Sequence, residues 1–101
     1  KAPATVIFRS NFTVAIYRLG EIEPALKVMA QLSTKEIDEL KSSHSFGYTC
    51  YARLLAKAKL AGSPLFDGSR FAQVAQSALA LPESTSYPEE SQVIKDALVA
   101  L

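Results

Sequence analysis

The chain has 101 residues, of which 49% are hydrophobic and 21% are charged, and its eleven basic and ten acidic side chains give a net charge of +1. This length and apolar content predict one folded domain with a real core and exclude an intrinsically disordered chain. The nearly balanced charge argues against a strongly basic nucleic-acid-binding protein and against an electrostatic binder of membrane surfaces.

The N-terminal segment allows two interpretations. Residues 1–10 are predicted to be an extended lead-in, and their β-branched and aromatic side chains favour a short strand: Thr5, Val6, Ile7 and Phe8. A second pattern follows helical spacing: Phe8, Phe12, Ala15 and Leu19. From Asn11 onward we favour a helix, because asparagine is a good N-cap and no hairpin turn is nearby. Gly20 is expected to end it.

The next two helices carry clear start signals. Pro24 suits the first turn of the second helix, which then presents one apolar stripe: Ile22, Ala25, Leu26, Met29 and Leu32. Ser33 and Glu36 form a Ser-x-x-Glu capping box. The third helix is therefore predicted from Thr34 to about Ser43.

The fourth helix is predicted from Ser45 to Ala61, because Gly62 and Pro64 follow it. Five residues share the face expected to point inward: Gly47, Tyr51, Leu54, Leu55 and Ala58. Four others share the face expected to point outward: Arg53, Ala56, Lys57 and Lys59.

The C-terminal third is predicted to hold two more helices. One runs from Ser69 to Ala80 after an Asp67 turn, and a polar linker covers residues 83–87. A second capping box, Ser86 and Glu89, is expected to start a last helix that reaches Leu101. The fold class is therefore all-α, a compact array of about five short helices, with a short N-terminal strand as the alternative for the first segment.

Two observations bear on the cellular compartment of the protein. The longest apolar run, residues 12–19, is too short for a membrane helix and contains Arg18, and the sequence does not show the basic start and long apolar centre expected of a signal peptide. The single cysteine, Cys50, cannot form an internal disulfide. We therefore expect an intracellular, cytoplasmic protein.

Because the chain starts at Lys1 and its only methionine is Met29, we expect residues 1–101 to be one domain cut from a longer protein.

The sequence offers little catalytic chemistry. His44 is the only histidine and lies six residues from Cys50, which is too few ligands for a metal site. A Cys50–His44 nucleophile pair would need an exposed, activated thiol, whereas Cys50 lies in an apolar stretch. No phosphate loop, zinc motif or nucleophile elbow is present. We expect no enzyme activity and no cofactor.

The segment Ser33–Leu40 resembles the first helix of a helix-turn-helix. In that family the following helix enters the major groove of DNA. Here the following helix carries three basic side chains that the resemblance would place against phosphates: Arg53, Lys57 and Lys59. This resemblance implies a DNA-binding domain.

A second set of residues is similar to the helical C-terminal cytosolic domain of the coronavirus membrane-spanning replicase subunit. The similarity rests on these residues: Tyr48, Tyr51, Leu54, Lys57, Lys59, Gly62, Asp67, Phe71, Ala75 and Leu79. It implies a non-catalytic domain of a viral subunit that remodels host membranes.

The favoured hypothesis is a non-catalytic helical module that binds another protein or self-associates. Phe46 and Tyr48 fall outside or at the margin of the inward stripe of their helix, and aromatic side chains are enriched at interfaces. We therefore expect the outer face of the fourth helix to contact a partner through four residues: Phe46, Tyr48, Arg53 and Lys57. DNA binding and the viral replicase domain remain alternatives.

Overall fold

The computed structural model describes residues 4–100, and in this range the chain is all-α, with seven helices and no strand. The helices are α1 Ala4–Arg18, α2 Ile22–Met29, α3 Thr34–Ser43, α4 Ser45–Ala61, α5 Gly68–Leu79, α6 Pro82–Ser86 and α7 Pro88–Val99. The predicted fold class is confirmed, although seven helices replace the expected five. None of the helices in these residues combines the length and apolar character needed to cross a bilayer.

The centre of the fold is α4, which packs against each of the other six helices. Every residue from 47 to 56 is buried. A helix surrounded on all sides needs no polar face, and the small side chains of Ala52 and Ala56 let neighbouring helices approach closely. The expectation that Arg53 and Ala56 lie on an outer face is therefore wrong.

The first segment is helical from Ala4, so the predicted lead-in and strand are wrong for residues 4–10, while residues 1–3 lie outside the described part. Val6, Ser10 and Thr13, spaced by four and three residues, are the buried positions of α1. A lone strand here would have left its backbone groups without a partner strand, whereas a helix satisfies them internally. Gly20, with φ +79°, turns the chain after α1 as expected.

Local start and stop signals are confirmed elsewhere. The amide of Ser33 donates to Glu36 Oε1 at 2.8 Å, and the amide of Glu36 donates to Ser33 Oγ at 3.1 Å, which completes the capping box of α3. Asp67 was expected in a turn before a helix starting at Ser69, and it is itself the N-cap: its Oδ1 accepts from the amide of Arg70 at 3.1 Å, and α5 begins at Gly68. The bounds of α4 agree with the prediction, and Gly62 ends it at φ +71°.

The predicted polar linker at residues 83–87 is instead mostly α6. Ser86 belongs to this helix, so the N-cap of α7 is Tyr87 and the expected Ser86–Glu89 capping box does not form. Two buried serines join these helices: Ser84 Oγ donates to the carbonyl of Ala78 at 2.7 Å, and Ser91 Oγ donates to that of Ser84 at 3.1 Å. Within the described residues α7 ends at Val99, and Leu101, the predicted last residue of this helix, lies outside them.

Candidate functional site

The four residues predicted to contact a partner do not share one outer face. Tyr48 and Arg53 are fully buried, whereas Phe46 and Lys57 are half-buried. Tyr48 is directed toward Ser77 and Asp38, on the side of α4 that α3 and α5 cover, and burial raises the pKa of its hydroxyl. The expected exposure of Tyr48 and Arg53 is wrong, because α4 has no solvent-facing side along residues 47–56.

Phe46 and Arg53 instead meet in a cleft between α1, α4 and α7, which we call the Arg53 cleft. Its volume is about 240 Å³. It is lined by Tyr17, Arg18, Phe46, Arg53, Tyr87 and Glu90. The guanidinium carbon of Arg18 lies 5.7 Å from the centre of the Phe46 ring. Lys57 lies beside the cleft, with its Nζ 4.7 Å from the centre of the Tyr17 ring.

Arg53 is the buried charge of this cleft, with a side chain that is 1% exposed. Its Nη1 donates to Glu90 Oε1 at 3.0 Å. Its Nε and Nη2 have no hydrogen-bond partner among residues 4–100. The Tyr17 hydroxyl donates to the same Glu90 oxygen at 3.5 Å, and burial raises its pKa against the opposing charge of Arg53. Two N–H groups of a buried guanidinium therefore lack a partner in this part of the chain, although the Tyr17 hydroxyl lies close enough to Arg53 to interact with it.

A second exposed feature lies on the other face of α1. Phe8 is 72% exposed, Phe12 is 38% exposed, and Leu19, just after the helix, is 71% exposed. They follow one another at intervals of four and seven residues, so they share a helix face with Ala15. The helical spacing predicted for these residues is therefore confirmed, but they lie on the solvent-exposed side of the helix and not on its buried side. We call Phe8, Phe12 and Leu19 the α1 docking face.

The α1 docking face continues into a groove between α1 and α2 with a volume of about 560 Å³. The groove is lined by Ala4, Thr5, Phe8, Arg9, Phe12, Val28 and Gln31. These side chains are mostly apolar, the one charged group among them is the basic Arg9, and none is acidic. The shape is that of an open trough that could accept an elongated apolar segment.

The inner face of α1 carries hydroxyls where an ordinary amphipathic helix carries large apolar side chains. Thr13 Oγ1 bonds back to the carbonyl of Arg9 at 2.9 Å. Ser10 Oγ lies 2.6 Å from His44 Nδ1 and links α1 to the junction of α3 and α4. Nothing in the sequence pairs these two residues, which are 34 positions apart. Because Ser10 is fully buried, its hydroxyl is out of reach of a substrate, whereas His44 is half-buried.

Burial lowers the pKa of His44 from its ordinary value of 6.5. Near and below pH 6.5, His44 binds a proton more readily in the unfolded chain than in the folded chain. We therefore expect the free energy of unfolding to fall as the pH drops from about 7 to about 5. Urea unfolding of the wild type and of His44→Asn, which keeps a polar atom near Ser10 but does not titrate, measures this effect. Parallel pH profiles of the two proteins would contradict it.

The remaining chemistry is sparse. Burial raises the pKa of the Cys50 thiol to about 11, so Cys50 stays a thiol at neutral pH, and the Cys50–His44 hypothesis loses its thiolate nucleophile. Within residues 4–100, no three His, Cys, Asp or Glu side chains gather closely enough to hold a metal ion.

The helix-turn-helix hypothesis needs an exposed second helix, which α4 does not provide. Arg53 is buried, and Lys59 Nζ donates to the carbonyls of Ala97 and Ala100 at 2.7 and 2.9 Å, which caps the end of α7. Of the three basic residues that were expected to meet phosphates, Lys57 is the one that makes no such ion pair or backbone contact with residues 4–100, and its Nζ lies over the Tyr17 ring.

Comparison of the chain with protein-family models, with curated protein sequences and with solved structures finds no significant match. Function is therefore inferred from the geometry of the two features described above.

Proposed function

We propose that this domain is a non-catalytic protein-interaction module, and that it binds its partner on the α1 docking face and the adjoining groove. The observation that carries the proposal is the exposure of Phe8 and Phe12 on one face of α1, with Leu19 just after the helix on the same side. Isolated exposed apolar side chains are ordinary, but a contiguous row beside an apolar groove is typical of a binding surface.

The occupant that fits this surface is an amphipathic helix. Phe8, Phe12 and Leu19, together with Ala15 between them, alternate in steps of four, three and four residues, the pattern of a two-helix seam. A partner helix lying along such a seam can insert its own apolar side chains into the groove between α1 and α2. The trough thereby buries aromatic rings that are otherwise in contact with water.

Charge favours an acidic helix from another protein over a second copy of this chain. The charged residues of α1 are Arg9 and Arg18, and the helix contains no acidic side chain. Two copies paired along α1 would bring arginines close to arginines with no acidic side chain of α1 to offset them, which opposes self-association. Glutamate or aspartate beside the apolar stripe of a partner would instead complement Arg9 at the groove.

The test uses two synthetic amphipathic helical peptides with the same leucine stripe, one flanked by glutamate and one by lysine. Fluorescence anisotropy should show saturable binding of the acidic peptide and at least about tenfold weaker binding of the basic one. In the Phe8→Ser/Phe12→Ser variant, affinity for the acidic peptide should fall by about 100-fold, because two apolar contacts are lost. Val99→Ser, an exposed apolar position on α7, is the matched control and should bind normally.

Three results would overturn this assignment. Equal affinity for both peptides would show that charge plays no part, and unchanged binding by the double variant would place the contact elsewhere. Concentration-dependent dimerisation abolished by Phe8→Ser/Phe12→Ser would make a second copy the occupant. Binding of the domain to anionic vesicles but to neither peptide would make α1 a membrane-surface helix.

A further inference from the structure

The two unpaired nitrogens of Arg53 lie on the same edge of the guanidinium. Nε–H and one N–H of Nη2 point in parallel, and this edge matches the two oxygens of a carboxylate. The other side of the group is held by Glu90 through Nη1 at 3.0 Å. Glu90 therefore fixes the orientation of Arg53 and leaves its bidentate edge unused.

Two buried N–H donors without a hydrogen-bond partner lower the stability of the fold, because they lose their hydration and gain no partner in exchange. Arg53 is 99% removed from solvent yet forms part of the wall of the Arg53 cleft. The mouth of that cleft is accessible, since Arg18, Tyr87 and Glu90 are all exposed. An anion that enters through this mouth would reach the Nε–Nη2 edge after the side chains that cover it move apart, because both nitrogens are themselves shielded from solvent.

The rest of the cleft defines the kind of anion. Arg18 and Arg53 contribute two positive charges and Glu90 one negative charge, so the lining itself carries a net charge of +1, and Lys57 lies outside it on the Tyr17 ring. This value matches a monoanion better than a phosphate dianion. Tyr17, Phe46 and Tyr87 supply aromatic walls, which suit an apolar body attached to the anionic group.

We propose that the Arg53 cleft is a binding site for a small monocarboxylate with an apolar body, held by a bidentate contact to Nε and Nη2 of Arg53. Its volume of about 240 Å³ suits a compact ligand. The site lies between α1, α4 and α7, apart from the α1 docking face, and does not depend on the function proposed there.

The first experiment compares benzoate with its neutral isostere benzamide on the wild-type protein. Benzoate should shift the Nε–Hε resonance of Arg53 in ¹⁵N-resolved NMR spectra in a saturable way. Benzamide should bind at least about tenfold more weakly, because it lacks the charge that strengthens both hydrogen bonds. Equal affinity of the two compounds, or no saturable shift with benzoate, would overturn the proposal. Tighter binding of inorganic phosphate than of benzoate would overturn the choice of a monocarboxylate.

The second experiment uses Arg53→Lys, which keeps the charge but removes the planar fork. Benzoate affinity should fall at least about tenfold in this variant, and Arg18→Gln should weaken it by a smaller factor. Arg9→Gln removes a positive charge of α1 outside the cleft and should leave benzoate binding unchanged. Wild-type affinity in Arg53→Lys would contradict the bidentate contact. If Arg53→Lys fails to fold, the comparison of benzoate with benzamide on the wild type decides the question alone.

Discussion

Replacing Gly47 with alanine is expected to lower the free energy of unfolding by about 2–4 kcal/mol. A Cβ atom at this position of α4 would overlap Ser10 Oγ and lie 2.7 Å from His44 Nδ1. The added methyl group would therefore push α1 away from α4 and break the Ser10–His44 hydrogen bond. Urea unfolding followed by circular dichroism at 222 nm, the standard helix signal, measures the change.

Gly68→Ala is the matched control for this substitution. The new Cβ would meet only a Phe66 ring carbon at 3.7 Å, an ordinary contact, and alanine favours the helix that begins there. We expect this variant to be as stable as the wild type or more stable by up to about 1 kcal/mol. Adding Ser10→Ala to Gly47→Ala removes the overlapping oxygen and should restore part of the lost stability. A Gly47→Ala protein with wild-type stability would show that α1 does not pack here.

The second large effect is expected at Arg53. Arg53→Ala should lower the free energy of unfolding by about 3–4 kcal/mol, because it leaves a cavity beside the most buried helix of the fold. The lost ion pair with Glu90 adds little, since the carboxylate is 52% exposed and solvent screens it.

Arg53→Met separates packing from charge at the same position. Methionine fills much of the same volume and removes two unpaired buried donors, so its stability should lie within about 1 kcal/mol of the wild type. Equal losses in the alanine and methionine variants, measured by urea unfolding, would show that the ion pair rather than packing stabilises this region. A stable Arg53→Met protein would mean that stability alone does not explain a buried arginine at this position.

Predictions from the sequence succeeded where the structural signal is local. The Ser33–Glu36 capping box, the turn at Asp67 and Gly62 each act through neighbouring backbone groups, so the ends of their helices could be located to within about one residue without tertiary information. The prediction failed for residues 4–10, because β-branched side chains weakly favour strands while packing of Val6 and Ser10 against the core favours a helix.

The candidate sites were harder to predict for a different reason. Helical spacing identified Phe8 and Phe12, but periodicity does not tell which face of a helix points inward. The expected contacts on α4 assumed a surface helix, whereas six neighbours cover it. Arg53 and Phe46 do line a cleft, yet its other walls come from α1 and α7, and Glu90 is 37 positions distant from Arg53. Contacts between residues so far apart in sequence depend on the tertiary fold, and spacing along the chain does not predict them.

The hydroxyl-lined inner face of α1 also bears on how the domain moves. Ser10 and Thr13 occupy buried positions where other helices place leucine or methionine, so docking of α1 removes less apolar surface from water. Local opening of α1 therefore costs less free energy than opening of α4, whose residues 47–56 are all buried. A partner that binds only the docked helix adds its binding free energy to that state. If the α1 docking face binds a partner as proposed, the folding of α1 and the binding of that partner form one coupled equilibrium.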